Sequence, residues 1–129
     1  MIDDFGQAHT AFSGKPNEAI AHLLSVKHGH VPAAIHKDGI GHIDFVYGCG
    51  GERGFGLAHI IERRNEQGVD GEEFVRNLPN IIESGTLAKQ TYPDRMYVAN
   101  GNDRAIVKLD YDGQRATWLV TAFPHKKTT

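Results

Sequence analysis

The sequence predicts a single α+β domain: an N-terminal helix and β-hairpin, then central helices, then a C-terminal antiparallel meander. Three observations predict it. Before residue 85, apolar residues recur at helical spacing in several segments, as in Leu57, Ile60 and Ile61. Two β-like runs, 33–36 and 42–47, flank a five-residue loop containing Gly39 and Gly41, the pattern of a hairpin. After Tyr92 the period becomes that of strands, in the runs 95–99, 104–110 and 116–123. A chain of 129 residues that is 40% hydrophobic is the right size for one such domain with a sizeable core.

Residues 1–15 read as an irregular lead-in, with the domain proper over 16–123 and a flexible tail over 124–129. Pro16 suits the first position of a helix running to about Lys27, with Ile20, Leu23 and Leu24 on its apolar face. His28, Gly29 and His30 end it. In the hairpin Ile43, Phe45 and Tyr47 face the core, and His42 and Asp44 do not. A glycine-dense run, 48–56, then leads into the helix of His59. Asp70 can cap the next helix, with Glu73 completing a capping box. Phe74 and Leu78 face inward, Pro79 restarts the helix with Ile81 and Ile82 buried, and Gly85 is a natural stop. The turns 100–103 and 111–115 separate the three strands of the meander. Ala105, Val107 and Leu109 share one face of the middle strand, which puts Arg104, Ile106 and Lys108 on the other. Strict alternation in the last run sets Trp118, Val120 and Ala122 against Leu119, Thr121 and Phe123, so both of its faces are covered and Thr121 is a polar group in apolar company.

Composition excludes several classes. No apolar run approaches the length of a membrane span, and the acidic start Met1-Ile2-Asp3-Asp4 lacks the layout of a signal peptide. Cys49 is the only cysteine, so no internal disulfide forms. A formal net charge of −2 argues against bulk attraction to nucleic acid and leaves room only for a local basic patch.

The best candidate for a chemical group is His59. At about 100° per residue it points away from the stripe of Leu57, Ile60 and Ile61 and shares its face with Glu62, Arg63 and Glu66. Near a helix start, the helix dipole and Arg63 disfavour its cation and Glu62 opposes them, which favours a neutral imidazole able to act as a base. Gly54 and Gly56 just upstream let backbone approach an anion, although the spacing matches neither a dinucleotide fingerprint nor a P-loop and an ordinary connection is the simpler reading. Eight histidines also raise a metal site, at His28 with His30 or His36 with His42 across the hairpin. They lack accompanying cysteines or a His-Glu-x-x-His pattern, so no metal ligand and no cofactor is assigned.

Four segments in order carry a resemblance: 39–48 (Gly-Ile-Gly-His-Ile-Asp-Phe-Val-Tyr-Gly), 54–60 (Gly-Phe-Gly-Leu-Ala-His-Ile), 78–82 (Leu-Pro-Asn-Ile-Ile) and 118–123 (Trp-Leu-Val-Thr-Ala-Phe). Together they resemble the phage-associated branch of the barnase/EndoU/colicin/RelE-like ribonucleases, found in phage polyvalent and head-morphogenesis proteins and as toxin domains of contact-dependent inhibition systems. The resemblance implies helices followed by an antiparallel sheet, and RNA cleavage without a metal. It places the catalytic histidine at His59, the strand-borne basic residue at Lys108 or Arg104 and the terminal-strand hydroxyl at Thr121. Transfer RNA is the substrate it suggests, and a cognate immunity protein the partner. It further implies action in the cytoplasm of the producing or target cell, delivered within a larger secreted or phage protein.

Such chemistry needs a base for the 2′-hydroxyl proton, an acid for the leaving 5′-oxygen and donors aimed at the phosphate. His59 supplies the first, Lys108, Arg104 and Thr121 suit the phosphate, and Arg63, Gly54 and Gly56 line the approach for substrate. The competing reading is a non-catalytic phage structural or interaction module in which His59 is an ordinary polar residue on the surface and the glycine run a hinge.

Overall fold

In the computed structural model, which describes residues 3–88 and 93–124, helices pack on one face of a six-stranded sheet. Helix α1 (Pro16–Val26) begins on its proline and ends at Lys27, which is left-handed at φ 58°. Strands β1 (His30–Lys37) and β2 (Gly41–Val46) form the expected hairpin, with His36 opposite His42. Helices α2 (Gly56–Glu66), α3 (Gly71–Arg76) and α4 (Leu78–Ser84) follow. The Asp70 carboxylate accepts the Glu73 N–H at 3.2 Å, satisfying a donor that a helix start leaves unpaired. Pro79 sits in the first turn of α4, where its missing N–H costs nothing.

The short strand β3 (Thr86–Leu87), unforeseen in the sequence, adds an edge to the meander of β4 (Arg95–Asn100), β5 (Asp103–Tyr111) and β6 (Gln114–Pro124). The sheet order is β1-β2-β6-β5-β4-β3, and one parallel contact, Asp44 opposite Trp118, joins hairpin to meander. Residues 125–129, where a flexible tail is expected, and Tyr92 lie outside the described residues.

One cluster of buried side chains unites the helices with the sheet: Ile20 and Leu23 of α1, Leu57 and Ile60 of α2, Leu78 and Ile82 of α4, Ile43 and Phe45 of β2, Val107 of β5, Leu119 of β6. Each such side chain contributes roughly 1.5–3 kcal/mol of burial, which is what holds short helices such as α3 in place.

The expected alternation in β6 is corrected. Thr121 pairs with Ile106 and Leu119 with Val107, so Val120 is an extra residue in the ladder. The bulge turns Leu119 and Ala122 to the helix-covered core while Trp118 and Thr121 share the opposite face with Lys108 and Ile106. Trp118 and Ala122 therefore do not lie on one face, as strict alternation had them.

That opposite face carries a second cluster, in which Phe5, Val46 and Trp118 are buried with Phe55, Tyr111 and Val120 packed around them. Phe5 comes from the lead-in, which contains the 3-10 turns Asp3–Phe5 and Thr10–Phe12 and pairs Ala8 with His30 beside β1. In β1 a second irregularity puts Ala33 at φ 49°, and the Asp44 carboxylate accepts its N–H at 2.8 Å. No helix among the described residues is long and apolar enough to cross a membrane.

Candidate active site

The glycine run is a closed loop. Cys49 and Phe55 exchange both backbone hydrogen bonds, at 3.0 and 2.9 Å, and the Gly54 N–H donates to Gly51 O at 3.0 Å. Glu62, one turn beyond His59, reaches back to accept the Gly51 N–H at 3.0 Å. The loop is thereby folded down on the helix that follows it. A Cβ on Gly54 would lie 2.7 Å from His59 Nδ1 and 2.6 Å from Cys49 O, and one on Gly56 would meet Val46 O and Tyr47 O. Glycine is required at both places because backbone and ring come closer than any side chain permits.

His59 itself points off the core-facing stripe of Leu57, Ile60 and Arg64, as its spacing requires. It is nevertheless half-buried, because the loop covers it. Nδ1 is sealed with no hydrogen-bond partner, and Nε2 is not among the sealed, unpartnered atoms. The imidazole is held below its ordinary pKa of 6.5, first by burial and then by Arg63, with Glu62 and Glu66 opposing. Charge neighbours were legible in the sequence, but the largest cause, burial, comes from the loop.

Helix α2 lies against β6, where the buried Arg64 guanidinium donates to Ala122 O. The strand candidates stand on the sheet face away from the helices. Lys108, opposite Trp118, faces Asp94 and Asp110 at 4.0 and 3.9 Å. Thr121 is half-buried opposite Ile106. Arg104, opposite Phe123, donates to Gly101 O and Asp103 O, each at 2.9 Å, and so binds its own turn. Arg63 pairs with Glu66 at 3.3 Å. Phe55 links the two sides of the site: it follows Gly54, which touches His59, and its ring meets Trp118 edge-on at 5.6 Å.

His59 thus stands on a helix that packs on one face of the sheet, and Lys108 and Thr121 stand on the other, with the Gly54–Phe55 turn between them. The sequence profile of the phage-Barnase-EndoU-ColicinE5/D-RelE like nuclease family matches residues 34–129, about three quarters of the chain. The chain belongs to that family. No curated protein and no solved structure shows a significant match. For this nuclease-like domain the α+β architecture and the phage association read from the sequence therefore hold together, with the matched span covering the glycine loop, α2 and the whole meander.

His36 and His42 stand side by side across the hairpin with ring centres 5.0 Å apart, whereas His30 is buried against Phe5 and His28 is exposed. Among the described residues no group of three or more His, Cys, Asp or Glu is placed to hold a metal ion. Sequence reasoning passed over Phe5, Phe55 and Tyr111, whose rings converge on Trp118. Nothing in their spacing signals this, since the four come from three separate parts of the chain.

Proposed function

We propose that this nuclease-family domain is an endoribonuclease that cleaves RNA by attack of its own 2′-hydroxyl, without a metal, with His59 as the general base. The observation that carries the reading is His59 itself: an imidazole whose cation burial disfavours, with Nδ1 sealed and Nε2 not. Neutral Nε2 takes the 2′-hydroxyl proton as the O2′–P bond forms. The P–O5′ bond breaks, the departing oxygen takes up a proton from solvent while the imidazolium returns its own to solvent, and the products are a 2′,3′-cyclic phosphate and a 5′-hydroxyl.

Lys108 and Thr121 share the sheet face opposite α2, and we assign them as the cation and hydroxyl donor for a phosphate that reaches them from His59 past the Gly54–Phe55 turn. Lys108 is held between two carboxylates, so substrate phosphate competes with Asp94 and Asp110 for it. Arg104 and Arg63 are tied to local partners and serve the approach of substrate by releasing them. Transfer RNA is the proposed substrate, the cytoplasm of the producing or target cell the proposed place of action, and a toxin or phage effector the proposed context, with an immunity protein as the partner that would restrain it.

The test is incubation of purified protein with total RNA in excess chelator, followed by sequencing of the ends. Cyclic-phosphate ends that persist in chelator and vanish in His59→Ala support the reading. Activity abolished by chelator and restored by magnesium overturns it.

A further inference from the structure

Phe5 is 3% exposed, with its ring 4.9 Å from that of Trp118, 5.0 Å from Tyr111 and 6.4 Å from Phe55. A phenylalanine among aromatic rings is on its own ordinary packing. Three features set this one apart. It covers the sheet face opposite the main core, where no helix packs against it. The rim of its pocket is the proposed site: Lys108 is the ladder neighbour of Trp118, and Phe55 adjoins the Gly54 that touches His59. The residue before it is acidic, and the Asp4 carboxylate accepts the Tyr111 hydroxyl at 2.7 Å, pushing that phenol up to about 12.

An apolar ring seated in an aromatic cage, tilted 46–59° to the three rings around it and preceded in the chain by a carboxylate hydrogen-bonded to a lysine-bearing strand, occupies the space of a flat base next to an anionic group. Single-stranded nucleic acid is held in this way, each base stacked on aromatic side chains and the backbone tracked by cations. We propose that the cage of Phe55, Tyr111 and Trp118 seats a base of single-stranded RNA, and that the segment Asp3–Phe5 occupies it as a built-in inhibitor. The segment lies outside residues 34–129, so the cage belongs to the nuclease family's span and the plug does not. This rests on the ribonuclease reading for its substrate.

Trp118 is the only tryptophan, so its fluorescence reports on the cage alone. The full chain, Phe5→Ala and Asp4→Ala are titrated with a single-stranded octadeoxynucleotide, which stacks but has no 2′-hydroxyl to react, and are assayed on RNA in parallel. A pocket open a tenth of the time binds about tenfold more weakly than one always open. Phe5→Ala should therefore bring quenching at an oligonucleotide concentration about tenfold lower and reduce KM for RNA by a similar factor with kcat little changed. Asp4 is exposed, and Asp4→Ala should act in the same direction by a smaller factor; it carries the test if Phe5→Ala unfolds. Folded variants that quench and cleave as the parent does, or bind more weakly, overturn the proposal. If quenching shifts as expected while neither parent nor variants cleave RNA, the cage stands as a base site and the ribonuclease reading fails.

Discussion

Gly54→Ala tests whether the glycine loop is part of the catalytic apparatus. Gly54 does not adopt the left-handed conformation that only glycine tolerates well, so alanine is locally permitted and the substitution acts through space alone. Its Cβ would lie 2.7 Å from His59 Nδ1, 2.6 Å from Cys49 O and 2.9 Å from Gly50 C, where ordinary van der Waals contact begins near 3.4 Å. Two of the three contacts are to backbone that the Cys49–Phe55 pair holds, so the loop must shift at residue 54 and the imidazole must also give way, by about 0.7 Å. Misplacing a reacting group by about 1 Å can cost on the order of 10²-fold in rate, and kcat should fall by about tenfold or more. Overpacking costs about 1–3 kcal/mol, and the backbone contacts put Gly54→Ala toward the upper end. Gly51→Ala is the paired control: it has open space but φ +93°, so it strains the same loop without touching His59. Cleavage of a labelled RNA and thermal melting are measured for both. A Gly54→Ala protein that melts near the parent and cleaves at the parent rate refutes the argument, as does equal damage from Gly51→Ala.

Four further outcomes follow from the structure. The acidic limb of kcat/KM should lie below pH 6.5; Arg63→Gln should move it up and Glu62→Gln down, since these charges respectively depress and support the imidazolium. The linked stability is full above 6.5 and is lost as pH falls through the depressed value, because the unfolded histidine takes its proton first; denaturant titrations of parent and His59→Gln across this range check the sign. Asp44 is held above the ordinary carboxyl range by burial, so its ionisation weakens the fold as pH rises above 3.8; Asp44→Asn, which keeps an acceptor for Ala33, should match or exceed the parent in a melt at pH 7, while Asp44→Ala should lose about 1–3 kcal/mol. Thr121→Val should keep the melting temperature within a few degrees and lower kcat if the hydroxyl contacts phosphate, a parent-like kcat removing Thr121 from the site.

The elements were legible because their signals are local. Pro16, the Asp70–Glu73 pair and Gly85 act within one turn of chain, and they mark α1, α3 and the end of α4 where the structure has them. Assembly was less so. The parallel contact of Asp44 with Trp118 joins strands more than seventy positions apart, and no periodicity encodes which edges meet. The bulge at Val120 is invisible to a two-residue period, yet it decides which face Thr121 occupies.

The same division runs through the site. Helical spacing was enough to turn His59 away from the core, and its charged neighbours were enough to give the direction of its pKa shift. Its burial was not legible, because it comes from a loop folding back on the helix: Glu62 draws in Gly51, and Gly54 presses on the ring. A glycine run with no nucleotide-binding spacing reads as a hinge. In the folded chain it is what makes a surface-facing histidine half-buried with Nδ1 sealed, and the general-base role proposed for His59 then falls to the other ring nitrogen.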